Sequence, residues 1–244
     1  MAFRLVELII PASCAAEVAV VGLMRDDTAV IVGAMVIAPL LGPNVCLCLA
    51  TTLGDAQLAK QSLITNAVGL AIALAGAVLI GLLFPIDPTI DSIRSRTAVS
   101  VGDIILALAA GCAGVLAFTT GASSALIGVM VAVALLPPFA VFGLLLATRE
   151  FPAASGALLL VATNVICVNL AGVLTFAAQG VRPRTWWEAE RAEKRTRIAV
   201  ATWIALLLAV IDREHIALSV RLSAKVPPGR RHLLCGMGVA LQGR

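Results

Sequence analysis

The chain has 244 residues, of which 60% are hydrophobic and 13% charged, and its mean hydropathy is +1.02. These values exclude an ordinary soluble globular domain and predict an integral membrane protein with room for about six or seven spans of roughly 20 residues each. The net charge of +4 comes mostly from Arg182 to Arg197 and the C-terminal tail, so it reads as membrane-face charge and not as a nucleic-acid footprint.

Backbone groups in hydrocarbon must satisfy one another, and long apolar runs without alternation select helices over a closed barrel. The first run, Leu5 to Met24, is read as a retained span. Glu7 and Pro11 interrupt it, and no small-residue cleavage site follows, which argues against a signal peptide. Glu17 lies seven residues before Met24, roughly 10 Å inside the span by helical rise. Intramembrane carboxylates often belong to proton or ion pathways; a protonated, buried or snorkelling side chain is the structural alternative.

The second run, Thr28 to Thr52, contains "GAMVIAPLLGPNVCLC". Pro39 frees the carbonyl of Met35, Pro43 frees that of Pro39, and Gly42 adds backbone freedom, so a break is expected near the centre. An unbroken helix of this length would reach about 37 Å against a core of roughly 30 Å, leaving length for an interruption.

The third run, Leu63 to Phe84, carries Gly69, Ala73, Ala77 and Gly81 every four residues. This small-residue stripe lets another helix approach closely, either from the same chain or from a second copy in a homo-oligomer. Ala107/Gly111 and Ala110/Gly114 do the same in the fourth run, Asp103 to Phe118. In the fifth, Ser124 to Ala147, Pro137 and Pro138 free the carbonyls of Val133 and Ala134, and a second break is expected there. The sixth runs from Gly156 to Ala178. A seventh, Ile198 to Ile211, reaches only about 21 Å and is either a short span or an interfacial segment.

At an offset of 95 residues, Val32 to Ala50 lies over Ile127 to Leu145 with identities that include Gly33/Gly128, Met35/Met130, Leu40/Leu135, Leu41/Leu136 and Pro43/Pro138, and Asp55 meets Glu150. The chain is therefore read as two repeats of three spans, about 5–84 and 102–178, followed by a basic loop, short apolar segment and tail over 179–244. Three is odd, so the second trio enters from the opposite face and the pair is inverted. The expected fold is an all-α transmembrane bundle, a 3+3 inverted repeat with one proline-broken helix in each half.

If the breaks meet near mid-depth, freed carbonyls and half-helix ends form a site for a small solute or ion. Asn44 follows the first break, and Asn66, Asn164 and Asn169 lie in the spans paired with the broken ones; interhelical hydrogen bonding is their structural reading. Asp55 and Asp103 are expected at span ends. Five of the six cysteines lie in apolar runs and both histidines in the tail, so neither a disulfide framework nor a metal site is expected. No cofactor motif and no catalytic constellation appears, which argues against an enzyme.

"GLMRDDTAVIVGAMVIAPLLGPN", "RTAVSVGDIILALAAGCAGVLAF", "IGVMVAVALLPPFAVFGLLLA" and "GALLLVATNVICVNLAG" resemble, in order, the blocks of the prokaryotic membrane family called domain of unknown function 389, the uncharacterised hydrophobic domain. The resemblance covers about Leu5 to Ala178. It implies a polytopic fold in a bacterial cell membrane and no particular activity. Members often carry a soluble domain ahead of the first span, which implies that this chain is a short member or has a truncated N-terminus. Glu17 and Asn44 stand where the family usually has apolar residues.

The expected function is a transporter or channel for a small solute or ion, with the pathway at the crossing of the two middle spans. The alternative is a non-transporting scaffold or sensor subunit. The expected partners are the lipid bilayer and the solute, with no nucleic acid. The basic loop, with Trp186 and Trp187 as interfacial anchors, suggests that its own side and the N-terminus are cytoplasmic.

Overall fold

The computed structural model describes residues 2–37, 41–84, 90–121, 124–181, 196–198 and 200–212. In chain order the helices are α1 Ala2–Met24, α2 Thr28–Ile37, α3 Leu41–Leu53, α4 Ala56–Leu83, α5 Asp91–Arg94, α6 Val101–Thr119, α7 Ser124–Ala147 and α8 Phe151–Ala178. Residues 196–198 and 200–212 are also helical, and no strand occurs among the described residues. Helices α4, α6 and α8 are long and apolar enough to cross a membrane, which supports a membrane protein. The chain divides into two compact units, Met1–Leu206 and Leu207–Arg244; the described part of the second, 207–212, is helical.

Local chemistry sets the helix ends. The Asp55 carboxylate accepts from the backbone N–H groups of Gln57 at 2.9 Å and Leu58 at 3.0 Å, so α4 starts at Ala56, well before the apolar run. Ser100 and Asp103 form a reciprocal capping box that opens α6. Asp27 supplies the same service to α2, accepting from Ala29 N–H at 2.9 Å.

The C-terminal turns repeat. After α3, Asp55 N–H donates to Ala50 O at 2.9 Å and Gly54 N–H to Thr51 O at 3.2 Å; after α7, Glu150 N–H donates to Leu145 O at 3.0 Å and Arg149 N–H to Leu146 O at 3.3 Å. Each is a Schellman turn whose C′ residue takes positive φ: 67° at Gly54 and 60° at Arg149. The turn after α1 has Asp26 at 52° and the turn after α6 has Gly121 at 74°. Asp26 and Gly121, like Gly54 and Arg149, stand at the same 95-residue offset as the aligned halves.

In the first group of helices α1 packs on α2 and α4, and α3 on α4; in the second, α6, α7 and α8 pack on one another. Across the two, α7 packs on α1, α2, α3 and α4, and α3 packs on α6 and α8. Gly69, Ala73, Ala77 and Gly81 are all buried, and their stripe receives α7 of the same chain: a Cβ on Gly143 would stand 2.6 Å from Ala77 Cβ. Ala107, Ala110, Gly111 and Gly114 are buried on α6, where a Cβ on Gly111 would stand 2.5 Å from the Val168 carbonyl of α8. Leu23, Ile31, Leu136, Val141 and Leu144 fill the core between α1, α2 and α7.

One expectation is corrected here. Val133 to Phe139 is not an interruption: α7 is helical from Ser124 through Pro137 and Pro138 to Ala147. The hydrogen bond that Pro138 removes is replaced from the neighbouring helix, within the site.

Candidate functional site

The residues around the two proline blocks behave differently in the two halves. In the first, α2 ends at Ile37 and α3 begins at Leu41; Pro39 lies between them, outside the described residues. Gly42 and Pro43 fall in the first turn of α3, where backbone N–H groups have no intrahelical partner, so the missing N–H of Pro43 costs no hydrogen bond. Met35, in the last turn of α2, is buried in the main core.

Asn44 is 5% exposed and its Oδ1 accepts from Nδ2 of Asn66 on α4 at 3.3 Å. Asn66 is itself 8% exposed, and its own Oδ1 has no hydrogen-bond partner.

In the second half, Pro138 leaves the carbonyl of Ala134 without its helical donor. Asn164 of α8 supplies one: its Nδ2 donates to Ala134 O at 2.6 Å. This bond, from 30 residues further along the chain, replaces the donor that Pro138 removes from α7. Asn164 is 4% exposed and, as with Asn66, its Oδ1 is left without a partner.

Helices α4 and α8 thus each send an asparagine to a helix beside a proline block, spend an amide donor there, and keep a buried acceptor unmatched. A buried acceptor without a donor costs about 1–3 kcal/mol. Among the described residues these two oxygens are the buried side-chain polar atoms in that condition.

Asn169 has a different role. Its Nδ2 donates to Val165 O of its own helix at 2.9 Å, and its Oδ1 accepts from the Cys48 thiol at 3.5 Å. Cys48 also abuts Gly172, where a Cβ would stand 2.6 Å from Sγ, so the pair fixes α3 against α8. This contact is not legible in the sequence, since the partners are 121 residues apart and a cysteine in an apolar run reads as a small apolar residue. Glu17 is exposed on α1, with its Cγ beside Gly76 of α4; it does not join the asparagines.

The buried polar side chains among the described residues are Asn44, Thr52, Ser62, Asn66, Thr163, Asn164 and Asn169, and none carries a charge. No group of three or more His, Cys, Asp or Glu that could hold a metal ion occurs among the described residues. What the arrangement offers chemically is neutral amide oxygen aimed into a low-dielectric interior, suited to a hydrogen-bond donor or to an ion held by oxygens without a formal charge.

Comparison with known proteins bears on the chain as a whole. Residues 35–170 match the family model described as Domain of unknown function (DUF389). An uncharacterized protein of Methanocaldococcus jannaschii is 40% identical over 193 residues, an alignment that covers 79% of this chain and 60% of the relative. The chain therefore spans about 60% of the length of the curated relative it matches. No solved structure matches it.

Proposed function

We propose, for a chain that belongs to the domain of unknown function 389 family, that it is a multi-pass protein of the cell membrane that conducts or transports a small neutral solute or ion past Asn66 and Asn164. The observation that carries this reading is the pair of buried, unpartnered Oδ1 atoms in corresponding helices. A structural asparagine would be expected to spend both ends of its amide; these two hold one end for something else.

The reading also takes the two groups of helices as an inverted repeat, and the positions of the helix ends support that. Thr196 Oγ1 donates to the carbonyls of Thr51 at 3.1 Å and Thr52 at 3.2 Å and stands beside Val173 and Ala177 of α8, while Gln179 Nε2 donates to Thr119 Oγ1 at 2.9 Å. The C-terminal ends of α3, α6 and α8 therefore gather on one side. On the other side the Ser92 hydroxyl donates to Asp26 after α1, and Gly156 near the start of α8 backs onto the Thr97 carbonyl just before α6. In this reading α1 and α4 run against α6 and α8, the arrangement expected of an inverted pair. The pathway in this reading is lined by side-chain amides, with α7 intact.

The test is flux in proteoliposomes with potassium, sodium, ammonium, urea and glycerol as separate probes. The variants Asn66→Ala and Asn164→Ala are expected to lower the flux of the conducted probe by about fivefold or more, as loss of a 1–3 kcal/mol oxygen contact implies. No flux above empty vesicles for any probe would overturn the proposal. A second reading, a non-transporting scaffold, is favoured by the Asn164 bond to Ala134, which gives Pro138 a purely structural neighbour; it predicts that null result.

A further inference from the structure

Away from the asparagines, a cleft of about 360 Å³ opens between the last turns of α8 and the helical residues that follow Thr196. Val173, Leu174 and Ala177 form one wall and Val200, Ala201 and Ile204 the other. Thr196 and Arg197 complete the lining. Thr196 is tied to the carbonyls of Thr51 and Thr52 in the last turn of α3. That places the polar end of the cleft at the level where α3 and α8 finish, one face of the bilayer in the proposed topology, with apolar walls extending from it.

We propose that this cleft binds one anionic phospholipid, an acyl chain between the two walls and the headgroup phosphate at Arg197. The walls are apolar except for the two residues at one end, which is the polarity profile of a lipid and not of a soluble solute. A guanidinium matches a phosphate in charge and in fork geometry. The chain just before it, "RPRTWWEAERAEKRTR" from Arg182 to Arg197, is rich in cations, and a basic run next to a membrane segment raises the local concentration of anionic lipid. The apolar residues Ile204 and Leu206 are 43% and 45% exposed, so the outer wall gains cover from the same lipid.

The experiment is native mass spectrometry of the full chain in dodecyl maltoside, titrated with phosphatidylglycerol and with phosphatidylcholine of identical acyl chains. Phosphatidylglycerol is expected to bind about fivefold tighter, the equivalent of roughly 1 kcal/mol for one well-placed cation. Arg197→Gln should bring it down to the phosphatidylcholine value. Ala201→Trp fills the cleft from an exposed position and should weaken both lipids by about tenfold, and Ala177→Trp, from the opposite wall, should repeat the effect if the first variant unfolds. Equal binding of the two lipids by the unaltered chain, or tryptophan variants that retain lipid, would overturn the proposal. Displacement of the lipid by free glycerol phosphate would also overturn it, because binding would then be to the headgroup alone.

Discussion

Asn164 Nδ2 donates to the carbonyl of Ala134 at 2.6 Å, the carbonyl that Pro138 deprives of its own helix's donor. Removing the amide leaves that carbonyl buried and unmatched. Asn164→Leu should lower stability by about 2 kcal/mol, read as a fall in thermal midpoint in detergent. Pro138→Ala restores a backbone N–H four residues on, so Asn164→Leu made on that background should cost less than half as much. A double-mutant cycle measures the coupling, and strictly additive effects would show that the repair is not what holds α7 together.

Arg149 sits at φ 60° where the equivalent residue of the first trio is Gly54 at 67°. A side chain in the left-handed region costs about 1–2 kcal/mol and glycine avoids it. Arg149→Gly should therefore stabilise the protein by about 1 kcal/mol, and Gly54→Ala should destabilise it by a similar amount. Thermal midpoints moving in opposite directions are the expected result.

Asp55 and Glu150 also correspond, yet only Asp55 caps its helix: its carboxylate holds two backbone N–H groups, while Glu150 makes no side-chain cap bond. Asp55→Ala should cost about 1 kcal/mol. Glu150→Ala should change little, and Glu150→Asp should stabilise α8 if the shorter side chain reaches the cap position. Unfolding of the three variants in parallel checks this.

Gly111 and Gly33 separate packing from propensity. A Cβ at Gly111 would meet the Val168 backbone, whereas one at Gly33 would meet nothing within 4 Å. Gly111→Ala should cost about 1–3 kcal/mol through overpacking. Gly33→Ala, inside α2, should be tolerated and gain up to about 1 kcal/mol of helix propensity.

The apolar segments were legible because hydropathy and small-residue spacing act within a single helix: the stripe from Gly69 to Gly81 is buried as its period predicts. The true start of α4 at Ala56 was not, because "AQLAKQS" carries no hydropathy signal and its helical state rests on the Asp55 cap. The prolines misled for a related reason. Pro137 and Pro138 signal lost hydrogen bonds locally, while the group that replaces one of them arrives from another helix. The unmatched oxygens of Asn66 and Asn164 are further still from the sequence, since an asparagine's type says what it can bond and only the fold says which end is left over.

The described residues between α4 and α6, 90–100, are tied to helices on both sides. Ser92 holds them to Asp26 at the tip of the α1–α2 hairpin, and Thr97 lies against Gly156 in the first turns of α8. These ties hold the helices together at that end. If the two groups of helices shift against each other, displacement grows with distance from these ties and is largest beside Thr51 and Gln179.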